Sequence, residues 1–452
     1  MNYKIALICI LLSLAYGCGD DPITPPPASG PQQYGTPLVN MPDAANACIY
    51  EVNLRAQSSE GTLQGVISKL AHIKSLGTNV IWLMPIYEQG ITNSVGSPYC
   101  VKDYQKVSPE YGTLADLRSL TNQAHALGMA VILDWVANHT SWDHPWISAH
   151  PEWYTQNANG QIIIPPGTNW NDVADLNFDQ SAMRKAQIDA MKYWVLEANV
   201  DGFRCDYADG VPFSFWDEAI TALKGVPNRE LLMLAEGTRS DHYQAGFDLT
   251  YSWNYYTALK NVWAGSATNL LTTTHQVELA SLPSGKGKVR FTTNHDQSAW
   301  EASPMTLFNG KNGAIAASVA NLFSGGTPLL YTGQEVGKTG TTPFFSNTNI
   351  NWTSNPDMLS AYQKVYSIYN SYPASRVNNF SIYQLSNDLI CWKKTSGNEA
   401  LLILVNVRNS NISVTLPPAL TGNVTNLYTD QTETLTTSLT LAPYAYRIYK
   451  LN

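Results

Sequence analysis

The 452-residue chain is 44% hydrophobic and 14% charged, enough apolar material for a large core plus a smaller second domain and too little charge for a disordered polymer. Its formal net charge of −8 argues against nucleic acid or another phosphate-rich partner. Thirteen Trp and 25 Tyr supply aromatic faces that stack on sugars or fill cores.

At the N-terminus, Lys4 precedes an apolar run from Ile5 to Tyr16, too short to span a bilayer as a mature helix. Gly17-Cys18 follows, and the segment resembles the cleavage region of bacterial lipoproteins, in which the cysteine is lipidated and becomes residue one. The resemblance implies a signal peptide over residues 1–17, a lipid on Cys18, and a protein held by that lipid at the bacterial envelope, in the outer membrane. An ordinary secretory signal is the alternative. Asp20, Asp21 and a run of prolines then read as an extended tether, with the whole of 18–44 assigned to the lipidated start and its tether. Cys48, Cys100, Cys205 and Cys391 are widely spaced without a CxxC pair, so buried thiols are expected rather than a disulfide framework or zinc site.

From about residue 45, short apolar runs alternate with helical patterns. The runs at 47–54, 79–85, 130–136, 200–205, 231–235, 246–250, 289–293 and 328–331 are expected strands. Leu63, Val66, Ile67 and Leu70 recur at helical spacing, as do Leu114, Leu117, Ala124 and Leu127, then Ile188, Met191 and Val195. Val365 and Ile368 sit in a final helix. Such units over 45–376 fit an α/β fold, a (β/α)8 TIM barrel. A doubly wound open sheet is the alternative, but no Gly-rich phosphate loop supports it. The stretch at about 140–178, after strand 3, is too long for a plain connection and is expected as an inserted loop subdomain. Beyond 376, β-rich runs at 382–392, 400–405, 413–416 and 444–451 predict a C-terminal antiparallel β-sandwich over 377–452.

Acids stand at the ends of four of these strands, in DWVANH (134–139), GFRCD (202–206), AEG (235–237) and FTTNHD (291–296). Parallel barrels keep their active sites at the C-terminal strand ends, so Asp206, Glu236 and Asp296 would face one mouth. Breaking a bond between sugars takes a carboxylate nucleophile, a protonated carboxyl acid and a group that steadies positive charge. Asp206 is the candidate nucleophile: Arg204 lies two residues earlier on the same strand face and would keep it ionised. Glu236 is the candidate acid, which needs a raised pKa. Asp296 would orient the sugar and steady the transition state. His139 can donate to a sugar hydroxyl, and the Asn138 carbonyl can hold a loop or a cation. Each motif alone has a bland reading, such as a structural Arg–Asp pair, an Asx turn or a structural Asn–His pair. His139, His144 and His150 with Asp143 fit no zinc spacing.

Together and in this order, the segments resemble the four signature regions of the α-amylase family of glycoside hydrolases, family 13. DWVANH is similar to the family's DxxxNH, GFRCD to its GxRxD, the Glu of AEG to its acid/base region and NHD to its fourth region. PYCVKDY at 98–104, VADLN at 173–177 and TPLLYTGQE at 327–335 resemble further family segments, so the resemblance covers roughly 45–450. It implies retaining hydrolysis of α-1,4-glucosidic bonds in starch or maltodextrins. Asp206, Glu236 and Asp296 would be the catalytic acids, with Tyr99, His139, Arg204 and His295 binding the sugar. The implied partner is an α-glucan, with no organic cofactor. Calcium held by Asn138 and Asp175 is also implied. Asp209 and Gly210, however, stand where many members carry Lys-His, and calcium favours six to eight oxygens. The same machinery also suits a cyclomaltodextrinase- or neopullulanase-like hydrolase, or a glucan transferase. A non-catalytic glycan-binding protein is the reading from another class, and it should have lost one of the three acids.

Overall fold

The computed structural model describes residues 30–451; the signal segment and Cys18 lie outside the described residues. Eight parallel strands close into a barrel: β1 Ile49–Val52, β2 Val80–Leu83, β3 Ala130–Trp135, β4 Gly202–Cys205, β5 Leu232–Ala235, β6 Leu249–Tyr251, β7 Gly287–Arg290 and β8 Thr327–Tyr331. Neighbours follow chain order, and β8 pairs back onto β1 with Ile49 opposite Leu329. Every predicted barrel strand is present, and the sixth and seventh shift most. Gly246 takes φ 106° in the turn before β6, which delays that strand. β7 ends at Arg290 because the chain then leaves to cap a helix, His295–Trp300, through the Asn294 side chain.

Alternate strand residues separate into two packings. Ile49, Val80, Trp82, Ile132, Leu234 and Leu329 belong to the core inside the barrel. Tyr50, Ile81, Val131, Phe203, Met233 and Leu330 pack outward with the helices. Both faces are buried, so these strands read as continuous apolar runs. Carried past the apolar layer, the inward positions reach Glu51, Asp134, Arg204, Asp206 and Glu236. The alternation that fills the barrel therefore also crowns it with charge. β4 starts on glycine because a Cβ at Gly202 (φ 144°) would lie 2.0 Å from the Leu232 carbonyl oxygen.

After β3, His139–Ser141 pairs antiparallel with Val173–Asp175 and fastens the base of the insert. In the C-terminal domain a six-stranded and a two-stranded antiparallel sheet enclose Leu389, Leu402, Leu404, Val414 and Leu441. Its other face, with Trp392, Leu401 and Ile403, joins the core of the barrel, so Trp392 is a packing residue.

For residues 34–44, in the described end of the expected tether, the structure gives a correction. Tyr34 N donates to Leu196 O at 2.8 Å, Asn199 Nδ2 donates to Thr36 O at 2.8 Å, and Leu38 and Met41 pack against the barrel's inner core. Thr327 Oγ1, at the start of β8, donates to Ala44 O at 2.5 Å. The segment is extended, as its prolines dictate, but it lies against the barrel and closes its lower end. Cys48, Cys100, Cys205 and Cys391 are buried free thiols.

Candidate active site

Arg204 and Asp206 flank Cys205 on β4 and face inward, and parallel register sets Asp134 of β3 beside Arg204. Arg204 Nη1 donates to Asp134 Oδ1 at 2.7 Å and to Asp206 Oδ1 at 2.9 Å. Its Nη2 lies 2.8 Å from Glu236 Oε2, off the N–H direction, a charge contact rather than a hydrogen bond. The guanidinium rests over the Trp82 ring at 4.9 Å. One buried cation thus braces acids from three strands.

Burial pushes these carboxyls upward. Glu236 is driven up to about 7 by burial, with Arg204 pulling it back and the charges of Asp206 and Asp296 adding to the rise. Asp206 is also raised by burial, against the Arg204 charge and its hydrogen bond. Asp296 is raised by burial, again with Arg204 opposing. Asp134 is pushed up to about 7 by burial, yet its carboxylate accepts from Arg204, Trp82 Nε1 and Tyr99 OH. Three donors mark Asp134 as the ionised member. One guanidinium cannot balance Asp134, Asp206, Glu236 and Asp296 together, so a proton stays in the cluster. Of the two carboxyls at the ends of β4 and β5, Asp206 receives the charged hydrogen bond from Arg204 and Glu236 does not, which makes Glu236 the better fitted of that pair to carry it.

Past Asp206 the chain turns sharply. Tyr207 adopts φ 42°, ψ 46°, a left-handed conformation rare for an aromatic residue. The turn aims its N–H at Glu236 Oε2, 2.8 Å away. Asp209 then reaches the loop after β5, accepting from Thr238 N at 3.0 Å and Arg239 N at 3.3 Å, with His242 Nε2 at 2.7 Å. Burial alone would raise Asp209, but these hydrogen bonds outweigh it and hold it at about 2. Asp209 is therefore a loop tie and does not line the cleft. Asp209→Ala strands these donors and the buried His242. Its expected cost is about 1–2 kcal/mol in urea unfolding, discounted for a carboxylate partly open to solvent. An unchanged midpoint would show that the loop holds without it.

Above the acids lies a cleft of 570 Å³. The Tyr99 ring stacks on His295 at 5.5 Å, and its OH lies 2.8 Å from His295 Nε2. His295 Nδ1 is 2.5 Å from Glu51 Oε1, and its Nε2 is 3.5 Å from Asp296 Oδ2. His139 lines another wall, edge-on to Trp170 at 5.5 Å. Burial pushes its imidazole down to about 4, so at neutral pH it is an uncharged hydrogen-bonding group. The structure therefore gathers Asp206, Glu236, Asp296, Arg204, Tyr99, His139 and His295 at one mouth. Sequence reasoning passed over Glu51, Trp82 and Tyr207. Glu51 left one signal, a charge inside the otherwise apolar run CIYEV.

Asn138 and Asp175 also meet, but as a closed pair in which Asn138 Nδ2 donates to Asp175 Oδ1 at 3.3 Å. Calcium needs six to eight oxygens, of which this pair of side chains would be a small part. Among the described residues no group of three or more His, Cys, Asp or Glu side chains gathers to hold a metal. Asn138 and Asp175 by themselves supply too few oxygens for a calcium site.

Residues 41–376 match the family model "Alpha amylase, catalytic domain". The α-amylase MalA of Haloarcula japonica is 26% identical over 402 residues, which is 84% of this chain and 58% of MalA, so the chain spans less than two thirds of that relative. A solved α-amylase from Lactobacillus plantarum is 33% identical with a TM-score of 0.82, over 90% of this chain and 99% of that one. The noncanonic maltogenic α-amylase AmyB from Thermotoga neapolitana is 26% identical with a TM-score of 0.80, over 91% and 99%. With the catalytic-domain model spanning the whole barrel and a solved relative alike nearly end to end, the chain belongs to the α-amylase family.

Proposed function

We propose that the protein hydrolyses α-1,4-glucosidic bonds of starch-type glucans with retention of anomeric configuration. The contact of one guanidinium with both Asp206 and Glu236 carries this reading. The shared guanidinium brings the nucleophile and acid candidates to one mouth; retention is what the family's mechanism implies, and it requires the two carboxyls about 5–5.5 Å apart.

The retained sugar sits on the flat face of Tyr99, with His139, His295 and Asp296 on its hydroxyls. The Asp206 carboxylate attacks the anomeric carbon as the bond to the leaving oxygen breaks and Glu236 gives that oxygen its proton. Esterified Asp206 has lost its charge, one of the causes of Glu236's raised pKa. Glu236 therefore becomes more acidic, stays ionised, and takes a proton from the water that attacks the anomeric carbon and frees Asp206. Digestion of soluble starch, with product size and first-formed anomer followed over time, tests the reading: shorter α-products support it, and β-products or no cleavage defeat it. Glucan transfer would show as products longer than the substrate.

The pH profile follows from the same acids. The first step needs Glu236 protonated, so kcat/KM is expected to fall as pH rises past about 7. It should also fall in acid, where Asp206 gains a proton. A rate still climbing from pH 7 to 9 would show that Glu236 is not the acid.

We further propose that Cys18 carries a lipid that tethers the protein to the outer membrane of the bacterial envelope; the support is the Gly17-Cys18 motif behind a short apolar run. Among the described residues no helix is long and apolar enough to cross a membrane. Palmitate labelling that survives in Cys18→Ser would remove this assignment.

A further inference from the structure

We infer that the cleft is closed on its glycone side, so that the protein works from the non-reducing chain end and releases glucose or maltose. This rests on the proposed roles of Asp206 and Glu236. Glu236 protonates the leaving oxygen, so the departing sugars lie on the side of β4 and β5. The attacked ring lies over Tyr99, between Asp206 and the His295–Asp296 pair. Sugars attached beyond it, toward the non-reducing end, must run over β1 toward the loops that follow β7, β8 and β2.

That route meets a wall with a buried strut. Arg55 stands on the short helix Leu54–Gln57 directly after β1, its side chain only 6% exposed. Glu110 clamps it through both oxygens, at 2.6 and 2.7 Å. Arg55 Nη1 donates to the carbonyl of Gly96 at 2.6 Å and to that of Phe344 at 2.7 Å. Gly96 belongs to the loop after β2, and Phe344 to the loop after β8. Those strands flank β1, so one guanidinium pins the two loops together across its exit. The loops touch closely: a Cβ on Gly96 (φ 84°) would lie 2.8 Å from Phe345 O.

Aromatic rings thicken the wall. Phe344 lies edge-on to Tyr99 at 5.9 Å and to His295 at 5.4 Å, next to the attacked ring. Phe345 packs on Phe344 at 4.9 Å, and Trp300, after β7, touches them at 5.5 and 5.8 Å. Trp300 is 67% exposed and Val95 55%, and both line the cleft. Large apolar side chains left open at a rim mark a surface meant for a ligand, here the apolar face of a terminal sugar. The cleft's 570 Å³ lies within the range of pockets that hold one small ligand.

The test compares two nitrophenyl maltoheptaosides, one free and one carrying a cyclic acetal on its non-reducing glucose. The wild-type protein should cleave the blocked substrate at least 100-fold more slowly, and early digests of the free one should contain glucose or maltose beside the shortened glycoside. Equal rates, or a spread of internal cuts, would overturn the inference. If neither substrate is cleaved, the glycosidase reading itself has failed. Arg55→Met should raise the blocked-to-free ratio about tenfold. Phe345→Ala tests the same wall without removing the strut, should Arg55→Met fail to fold. A low ratio unchanged in every variant that folds would overturn the assignment of the wall.

Discussion

Asp206→Asn should reduce turnover of soluble starch by roughly 10⁴-fold or more, because it removes the atom that bonds to the sugar. The amide keeps the shape of the carboxylate, and its oxygen can still accept the Arg204 hydrogen bond that Asp206 Oδ1 takes at 2.9 Å. Maltooligosaccharide affinity should therefore change only a few-fold, since Tyr99, His139 and His295 are untouched. The folded state should not suffer either, because the variant removes a negative charge from a cluster served by a single guanidinium. Kinetics and isothermal titration on the same preparation separate these effects. Near wild-type turnover would end the assignment of the nucleophile. Lost turnover together with lost binding would point to a damaged site instead.

Glu236→Gln gives the second large effect, and its signature is dependence on the leaving group. With starch, whose departing oxygen must be protonated, kcat should fall by about 10²–10⁴-fold. With α-glucosyl fluoride, whose leaving group needs no proton, bond breaking should be nearly spared, and added azide should restore turnover by replacing the activated water. Equal losses on both substrates, without azide rescue, would contradict the acid/base role. Stability should move the other way. A carboxyl near 4.3 in the unfolded chain and about 7 when folded destabilises the fold as it ionises. The cost begins above the unfolded value and is complete above the folded one, on the order of a few kcal/mol. The melting temperatures of variant and wild type should coincide near pH 4 and separate as pH rises through 7, with Glu236→Gln the more stable.

Much of this was legible in the sequence because the barrel's constraints are local. A strand buried on both faces shows as a short apolar run, and the residue after it shows as an acid when it crowns the mouth. Asp206 and Glu236 could be placed from that rule, whereas Asp296 stands in the helix after β7 and could be placed only from the NHD motif and the order of the segments. The rest depends on contacts between distant positions. Arg55 reaches Phe344, and nothing near either residue in the chain announces the pairing. Tyr34 and Leu38 were read as tether because a proline-rich stretch looks the same whether it floats or lies on a barrel. Asn138 and Asp175 were named as calcium ligands from the resemblance; the structure sets them side by side, a contact between positions too far apart in the chain for local pattern to show. Asp209 departs from the family's usual pattern, and only the structure shows its work, tying the loop after β5 to the turn after the nucleophile.

The account rests on three acids, far apart in the chain, meeting around one glycosidic oxygen, with Asp206 as the one that bonds to sugar. Trapping with a 5-fluoro-α-glucosyl fluoride, followed by peptide mass spectrometry, tests this most directly. One added fluoroglucosyl mass on the peptide containing Asp206 is the predicted result; the same mass on a peptide carrying Glu236, Asp296 or Asp134 instead would contradict it.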